Sequence, residues 1–157
     1  MISINILILL IVFFFQSIFP AIYFQSFKIY PDFPLILLLY FSFKNSRFMS
    51  ILIGFCIGLF QDITSEVELI GIYSFIKSLT GYLFGTLKKY YGFYSKTILN
   101  IIVFIIFVIH FSIYYFVKFN NIFDFVIFLE LVCINSLINM FLYIILNEIF
   151  SIVEKTK

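Results

Sequence analysis

The sequence predicts an all-α integral membrane protein, in which six transmembrane helices form one bundle and residues 1–157 make a single membrane domain. Of its 157 residues, 64% are hydrophobic and 11% are charged, whereas soluble domains are about half apolar and about a quarter charged. Lipid offers no partners to exposed backbone groups, so a spanning chain must be helical or a closed barrel. No alternating barrel pattern is visible.

Six apolar segments follow one another, and we assign one helix to each. They cover approximately residues 2–24, 33–43, 48–60, 69–87, 97–117 and 125–146. The second and third are shorter than the roughly 20 helical residues that cross a bilayer core of about 30 Å. We therefore expect them either to extend, to 29–43 and 48–63, or to lie against neighbouring helices where the bilayer is thin.

The basic residues are distributed unevenly between alternate loops. If the first span runs outward, the cytoplasmic side receives Lys44, Arg47, Lys88, Lys89, Lys96, Lys155 and Lys157. The opposite side receives only Lys28 and Lys118. Because cytoplasmic loops carry the excess of Lys and Arg, this bias predicts six spans with both termini in the cytoplasm.

Small residues recur at helical spacing in the third and fourth spans. Gly54 and Gly58 lie four residues apart in the third span, and Gly81 and Gly85 do the same in the fourth. Such strips let helix backbones approach closely in lipid, where packing drives helix association. We expect these two spans to pack tightly against each other.

Acidic and capping residues mark the external connection between those two spans. Asp62 ends the third span, where a carboxylate can be plain surface or serve a specific contact. Ser65 and Glu68 fit a capping box, in which two backbone N–H groups at a helix start are satisfied reciprocally. We expect that box to open the fourth helix.

Three ionisable residues lie inside spans at similar depths and form a predicted polar layer. Lys77, His110 and Glu130 fall about 12, 10 and 9 Å below the external ends of spans four, five and six. An unpaired charge at such depth costs about 2.5 kcal/mol or more, so Lys77 and Glu130 are expected to pair. The layer would be either a structural ion pair with a histidine or an externally open ligand pocket.

The sequence lacks the patterns that catalysis or cofactor binding requires. His110 is the only histidine, and both Cys56 and Cys133 lie within apolar runs. No Ser-His-acid spacing, phosphate-binding glycine loop or Cys/His metal cluster can be assembled. A net charge of +2 is spread too thinly for a nucleic-acid surface. We expect no enzyme, no cofactor, no metal and no nucleic-acid partner.

The polar and small residues between the first and fifth spans keep a distinctive order. The chain has Pro31-Asp32 before the second span, Gly54-x-x-x-Gly58 and Asp62 at the end of the third, Gly71 before the fourth, and Gly81-x-x-x-Gly85 within it. In this order and spacing they resemble the rod shape-determining protein MreD family. Spans one, five and six match that family only in hydropathy.

The resemblance implies a function and a set of partners. It implies a non-enzymatic component of the bacterial elongation (rod) complex in the cytoplasmic membrane, which supports cell shape and lateral peptidoglycan synthesis. Its implied partners are MreC and, through MreC, MreB, RodA and the transpeptidase that works with RodA. The acidic Glu66-Val67-Glu68, where many members have a small Gly/Ser-rich turn, is a departure from the family pattern.

A second function from another class is also open. The MreD family is similar in architecture to the S-component fold of energy-coupling-factor transporters, so the alternative is a substrate-binding, S-component-like subunit of a vitamin transporter. The polar layer would suit such a subunit. The Ala-x-x-x-Ala-type docking strip usual in its first span is represented only by Ser17 and Ala21, with Pro20 between them. An orphan membrane scaffold is the third possibility.

Overall fold

The structure, a computed structural model, describes residues 11–24, 27–64, 71–118 and 124–150. For residues 149 and 150 it describes only the backbone. In this part of the chain, helix α1 (residues 11–18) is followed by strands β1 (Ile22–Phe24) and β2 (Phe27–Ile29), helices α2 (Phe33–Lys44), α3 (Arg47–Thr64) and α4 (Ile72–Tyr90), a 3₁₀ turn (Tyr91–Phe93), and helices α5 (Lys96–Lys118) and α6 (Phe125–Phe150). The predicted all-α membrane fold with six helices is confirmed.

Within the described residues, three helices have the length and composition to cross a membrane. They are α3 over Arg47–Thr64, α5 over Lys96–Lys118 and α6 over Phe125–Glu148. Large apolar side chains such as Phe116 and Phe141 point outward from them, as expected where lipid rather than water is the solvent.

The first helix ends earlier than the sequence predicted. Its helical conformation stops at residue 18 instead of 24, and the chain then forms an antiparallel hairpin that pairs Ile22 with Ile29 and Phe24 with Phe27. Pro20 explains the break, because proline has no N–H and disfavours helical conformation in the residue before it. The expectation of an entirely helical chain was wrong for this short segment.

The second helix is short because its start is fixed by a cap. Asp32 is its N-cap and Pro34 lies in its first turn, so the predicted extension back to residue 29 was wrong. Its 12 residues rise only about 18 Å. The alternative prediction describes the result: the run from Leu35 to Leu39 is buried, and α2 contacts α3, α4 and α6. The third helix does extend into its flanks, to Arg47–Thr64.

Helices α3 and α4 approach each other at backbone distance. A Cβ atom added at Gly58 would lie 2.4 Å from the carbonyl oxygen of Tyr73, far inside normal contact. The other three glycines of the two strips also lie against backbone of the facing helix: Gly54 against Lys77, Gly81 against Ser50 and Gly85 against Arg47. The two helices therefore form a tightly joined pair.

Helix α4 is the central helix of the bundle. It contacts α2 and α5 as well as α3. Its polar residues Ser74, Lys77 and Thr80 are buried, which explains why it is less apolar than α3, α5 and α6. The polar residues of α4 are therefore available to partners inside the protein.

The close approach of α3 and α4 predicts that even one methyl group at Gly58 is damaging. Gly58→Ala should lower the stability of the folded protein by about 1–3 kcal/mol or more, because the facing atoms belong to backbone that cannot rotate away. Thermal unfolding of the purified protein in detergent would measure the loss. Gly92→Ala is the matched control, since nothing lies within 4 Å of a Cβ at Gly92. Equal stability of the two variants would contradict the prediction.

Candidate functional site

The start of α2 is satisfied entirely by protein groups. The first N–H groups of a helix have no partner within the helix. Here the Phe33 N–H donates to Gln16 Oε1 at 3.1 Å, and the Leu35 N–H donates to Asp32 Oδ1 at 3.0 Å. Pro34, between them, has no N–H. The helix can therefore begin inside the protein without water.

Asp32 is also held through its backbone and its second carboxylate oxygen. The Asp32 N–H donates to Asn139 Oδ1 of α6 at 3.1 Å. Asp32 Oδ2 lies 2.6 Å from Lys77 Nζ of α4, in a pair whose lysine side chain is 0% exposed. A single residue thus joins α2 to α4 and α6.

His110 approaches the same carboxylate from α5. Its Nε2 lies 3.6 Å from Asp32 Oδ2, and its Nδ1 lies 2.9 Å from Thr80 Oγ1. The Thr80 hydroxyl also contacts the Ile76 carbonyl, to which it donates at 2.8 Å. We call Asp32, Lys77, Thr80, His110 and Asn139 the buried polar cluster.

The predicted polar layer is corrected by this geometry. Lys77 and His110 do lie close together, because both face Oδ2 of Asp32. The predicted pairing of Lys77 with Glu130 was therefore wrong. Glu130 is only partly buried, and it precedes Asn139, the α6 residue of the cluster, by about 14 Å along the helix. Counting depth from each helix end failed because the helices begin at different levels.

One sequence signal could have identified Asp32 as a member of the cluster. Asp32 comes immediately before an apolar run with Pro34 in its first turn, which is the pattern of an N-cap. Drawing α2 from that cap would have brought its carboxylate into the bundle. Thr80 and Asn139 carried no comparable signal as cluster members, because threonine and amide side chains occur throughout helices.

Asp62 has a separate structural role at the start of α4. It is 3% exposed, so it is not a surface carboxylate. Its oxygens accept from the N–H groups of Tyr73 and Ser74, at 2.9 and 3.0 Å, and from Ser74 Oγ at 2.6 Å. Asp62 of α3 therefore caps α4 across the helix pair.

Helix α4 needs a cap from another helix because its own N-cap residue is Gly71. This residue has no side chain to accept a bond, and it adopts φ of +106°, which favours glycine. The predicted capping box of Ser65 and Glu68 lies outside the described residues. Helix α4 begins at Ile72.

The remaining motif residue, Pro31, is buried beside Asp32. Beyond the cluster, polar contacts continue along α6. The Asn139 side chain donates to the Asn135 carbonyl at 2.9 Å, and the Asn135 side chain donates to the Tyr115 hydroxyl at 2.7 Å. The second of these bonds joins α6 to α5 one helical turn from Asn139.

The cluster is closed and balanced in charge. Lys77 is 0% and His110 2% exposed, and a buried acid and base face each other directly. Within the described ranges, no three His, Cys, Asp or Glu side chains come together as a metal site would need. Chemically, the arrangement can hold helices in register, and its charges have no direct access to solvent.

Comparison with known proteins gives one family. The family model described as rod shape-determining protein MreD matches residues 1–153, so the likeness includes the spans that the motifs did not reach. Neither the curated proteins nor the solved structures gave a match.

The buried pair predicts that removing one charge is worse than removing both. Lys77→Met should lower the free energy of unfolding by about 3–5 kcal/mol, because Asp32 would be left buried without its partner. Adding Asp32→Asn should recover much of that loss, since asparagine caps helices as well as aspartate does. Unfolding in detergent would measure all three proteins.

The exposed pair of Lys96 and Glu148 provides the control for that comparison. Its side chains are 59% and 67% exposed, so Lys96→Met should cost no more than about 1 kcal/mol. A double Asp32→Asn/Lys77→Met variant as unstable as Lys77→Met would refute the coupling.

The cap predicts a second asymmetry between two aspartates. Asp62→Ala should lower stability by about 1–3 kcal/mol for each buried donor left unpaired. Asp124→Ala is the matched control, because Asp124 caps α6 with an exposed side chain that accepts from Val126 N–H at 2.9 Å. Its loss should cost about 1 kcal/mol. Similar losses in both variants, measured by thermal unfolding, would contradict a buried cap.

Proposed function

We infer the function of this chain from its family: it belongs to the rod shape-determining protein MreD family, whose members are membrane proteins that determine cell shape. We propose that it acts as a non-enzymatic component of the bacterial elongation (rod) complex. In this role it supports lateral peptidoglycan synthesis together with MreC and, through MreC, with MreB, RodA and the associated transpeptidase.

The observation that carries a scaffold role is the closed ion pair of Asp32 and Lys77. A protein that binds a soluble ligand among its helices needs polar groups that the ligand can reach. Here the charged groups at the centre of the bundle contact each other, with Lys77 fully buried. Interior charges used in this way support a rigid membrane body that presents its outer surface to partners.

The same observation weighs against the alternative, an S-component-like subunit of a vitamin transporter. That function would require an externally open pocket in which Lys77 and His110 meet substrate. Both side chains are buried, and His110 is additionally bound to Thr80. We therefore propose the scaffold and leave the transporter subunit as the outcome that the cellular experiment below can detect.

We also propose that the protein lies in the bacterial cytoplasmic membrane with both termini in the cytoplasm. Two contacts support this orientation by bringing basic loops together. Lys88 Nζ donates to the Asn45 carbonyl at 2.9 Å, and Gly85 lies against Arg47. The α2–α3 turn and the end of α4 therefore share one end of the bundle, as the positive-inside rule requires.

This orientation predicts which loops react with a membrane-impermeant thiol reagent. In a background with Cys56→Ser and Cys133→Ser, Asp124→Cys should be labelled in intact cells after the outer layers are permeabilised. Gly92→Cys should be labelled only after the cytoplasmic membrane is opened, because it lies in the basic connection between α4 and α5. The opposite labelling pattern would overturn the orientation.

The proposed function predicts the phenotype of depletion in the native cell. Loss of the protein should turn rods into spheres, because lateral wall synthesis stops while division continues, and re-expression should restore rods. Microscopy with labelled wall precursors would measure both effects. Normal shape accompanied by a vitamin requirement would contradict the proposal and favour transport. A folded Asp32→Asn/Lys77→Met variant should also restore rods if its charges serve only the fold.

A further inference from the structure

The end of the bundle opposite the external hairpin contains an open groove between α5 and α6. It has a volume of about 500 Å³ and is lined by Lys96, Thr97, Asn100, Ile101, Phe104, Leu137 and Met140. The polar members belong to the first turns of α5, and the apolar members lie further along the helices. The groove is therefore polar at the membrane surface and apolar within the membrane.

A small chamber adjoins the groove. It has a volume of about 70 Å³ and shares Lys96 and Asn100 with the groove. Tyr94, Tyr143 and Asn147 are among its other walls, and the Tyr143 hydroxyl donates to Asn100 Oδ1 at 3.3 Å. Pockets for drug-sized ligands have volumes of about 300–1,000 Å³. The chamber is much smaller, so it accepts only a small chemical group.

We propose that this groove holds one anionic phospholipid of the surrounding bilayer, with its phosphate at Lys96 and Thr97 and an acyl chain over Ile101, Phe104 and Leu137. The small adjoining chamber would receive a hydroxyl of the headgroup. Basic pockets between transmembrane helices are suited to acidic headgroups, and an ammonium binds phosphate as a point charge.

The dimensions favour a lipid chain over the helix of a partner. A helix is about 10–12 Å wide with a pitch of about 5.4 Å, so about one turn would fill this volume. An acyl chain can follow the whole length of the groove. Ile101 and Leu137 are both more than half exposed on its walls, so lipid contacts them directly when the protein is in a membrane.

The phosphate must compete with Glu148 for Lys96. Lys96 Nζ lies 3.3 Å from Glu148 Oε1, but both side chains are mostly exposed, and ion pairs of this kind contribute little. Lys96 can therefore exchange a carboxylate for a phosphate. Glu148 should weaken lipid binding, which gives the proposal a test of opposite sign.

The chain contains no tryptophan, so one introduced tryptophan reports on its own surroundings. Phe104→Trp places the fluorophore on the groove, and Phe55→Trp is the matched control on α3. Each position lies eight residues from the start of its helix at the same end of the bundle. The purified protein would be placed in phosphatidylcholine vesicles containing a minor fraction of brominated phosphatidylglycerol, which quenches fluorescence on contact.

Quenching by brominated phosphatidylglycerol should be stronger at Phe104→Trp than at Phe55→Trp. Both positions lie eight residues from an exposed basic residue, Lys96 or Arg47, but only Phe104 lines the groove. Lys96→Gln should remove the excess, and Glu148→Gln should increase it. Brominated phosphatidylcholine should show no excess at either position.

Three results would overturn the proposal. They are equal quenching at the two positions, an excess that Lys96→Gln leaves unchanged, and quenching below the control at Phe104→Trp, which would indicate that protein covers the groove. Thr97→Val should reduce the excess independently, so the outcome does not rest on one variant. Because binding is measured on purified protein, failure here would leave the proposed function untouched, and a normal cell shape on depletion would leave lipid binding untouched.

Discussion

Asp32 is the residue at which four helices of this bundle are joined. It caps α2, pairs with Lys77 of α4 and faces His110 of α5, while its own N–H is bound by Asn139 of α6. A buried charge is tolerated only when its partners are present and well placed. Sliding or rotating α2 or α4 would leave Asp32 and Lys77 unpaired, and moving α5 or α6 would break the contact with His110 or the hydrogen bond to Asn139. The cluster therefore sets the relative positions of these helices.

A second joint, between α3 and α4, works by shape instead of charge. Glycines on both helices remove the side chains that would separate the backbones, and Asp62 of α3 closes the first turn of α4. Since α4 also carries Lys77, the two joints share one helix. Contacts made by α4 therefore fix the position of the α3–α4 pair relative to α2, α5 and α6.

These two joints give a physical meaning to the family motif. The glycines permit close approach, the two aspartates cap helices within the protein, and Gly71 adopts a left-handed conformation before α4. The four glycines of α3 and α4 and the two aspartates are buried in the bundle, whereas Gly71 is partly exposed. For the partners that we propose, this leaves the apolar exterior and the two ends of the bundle as contact surfaces, and the lipid groove that we propose lies on that exterior.

Much of the architecture was decided by the sequence itself. Membrane class, helix number and the contact of α3 with α4 depend on hydropathy and on the spacing of Gly54, Gly58, Gly81 and Gly85, which are local properties of each segment. Only the tertiary structure decided that Lys77 pairs with Asp32 and not Glu130, that Asp62 is a buried cap, and that a hairpin follows α1. Such contacts depend on where helices begin relative to one another along their axes. That axial offset is fixed by packing between segments that are distant in sequence, so it cannot be predicted from the residues of any one segment.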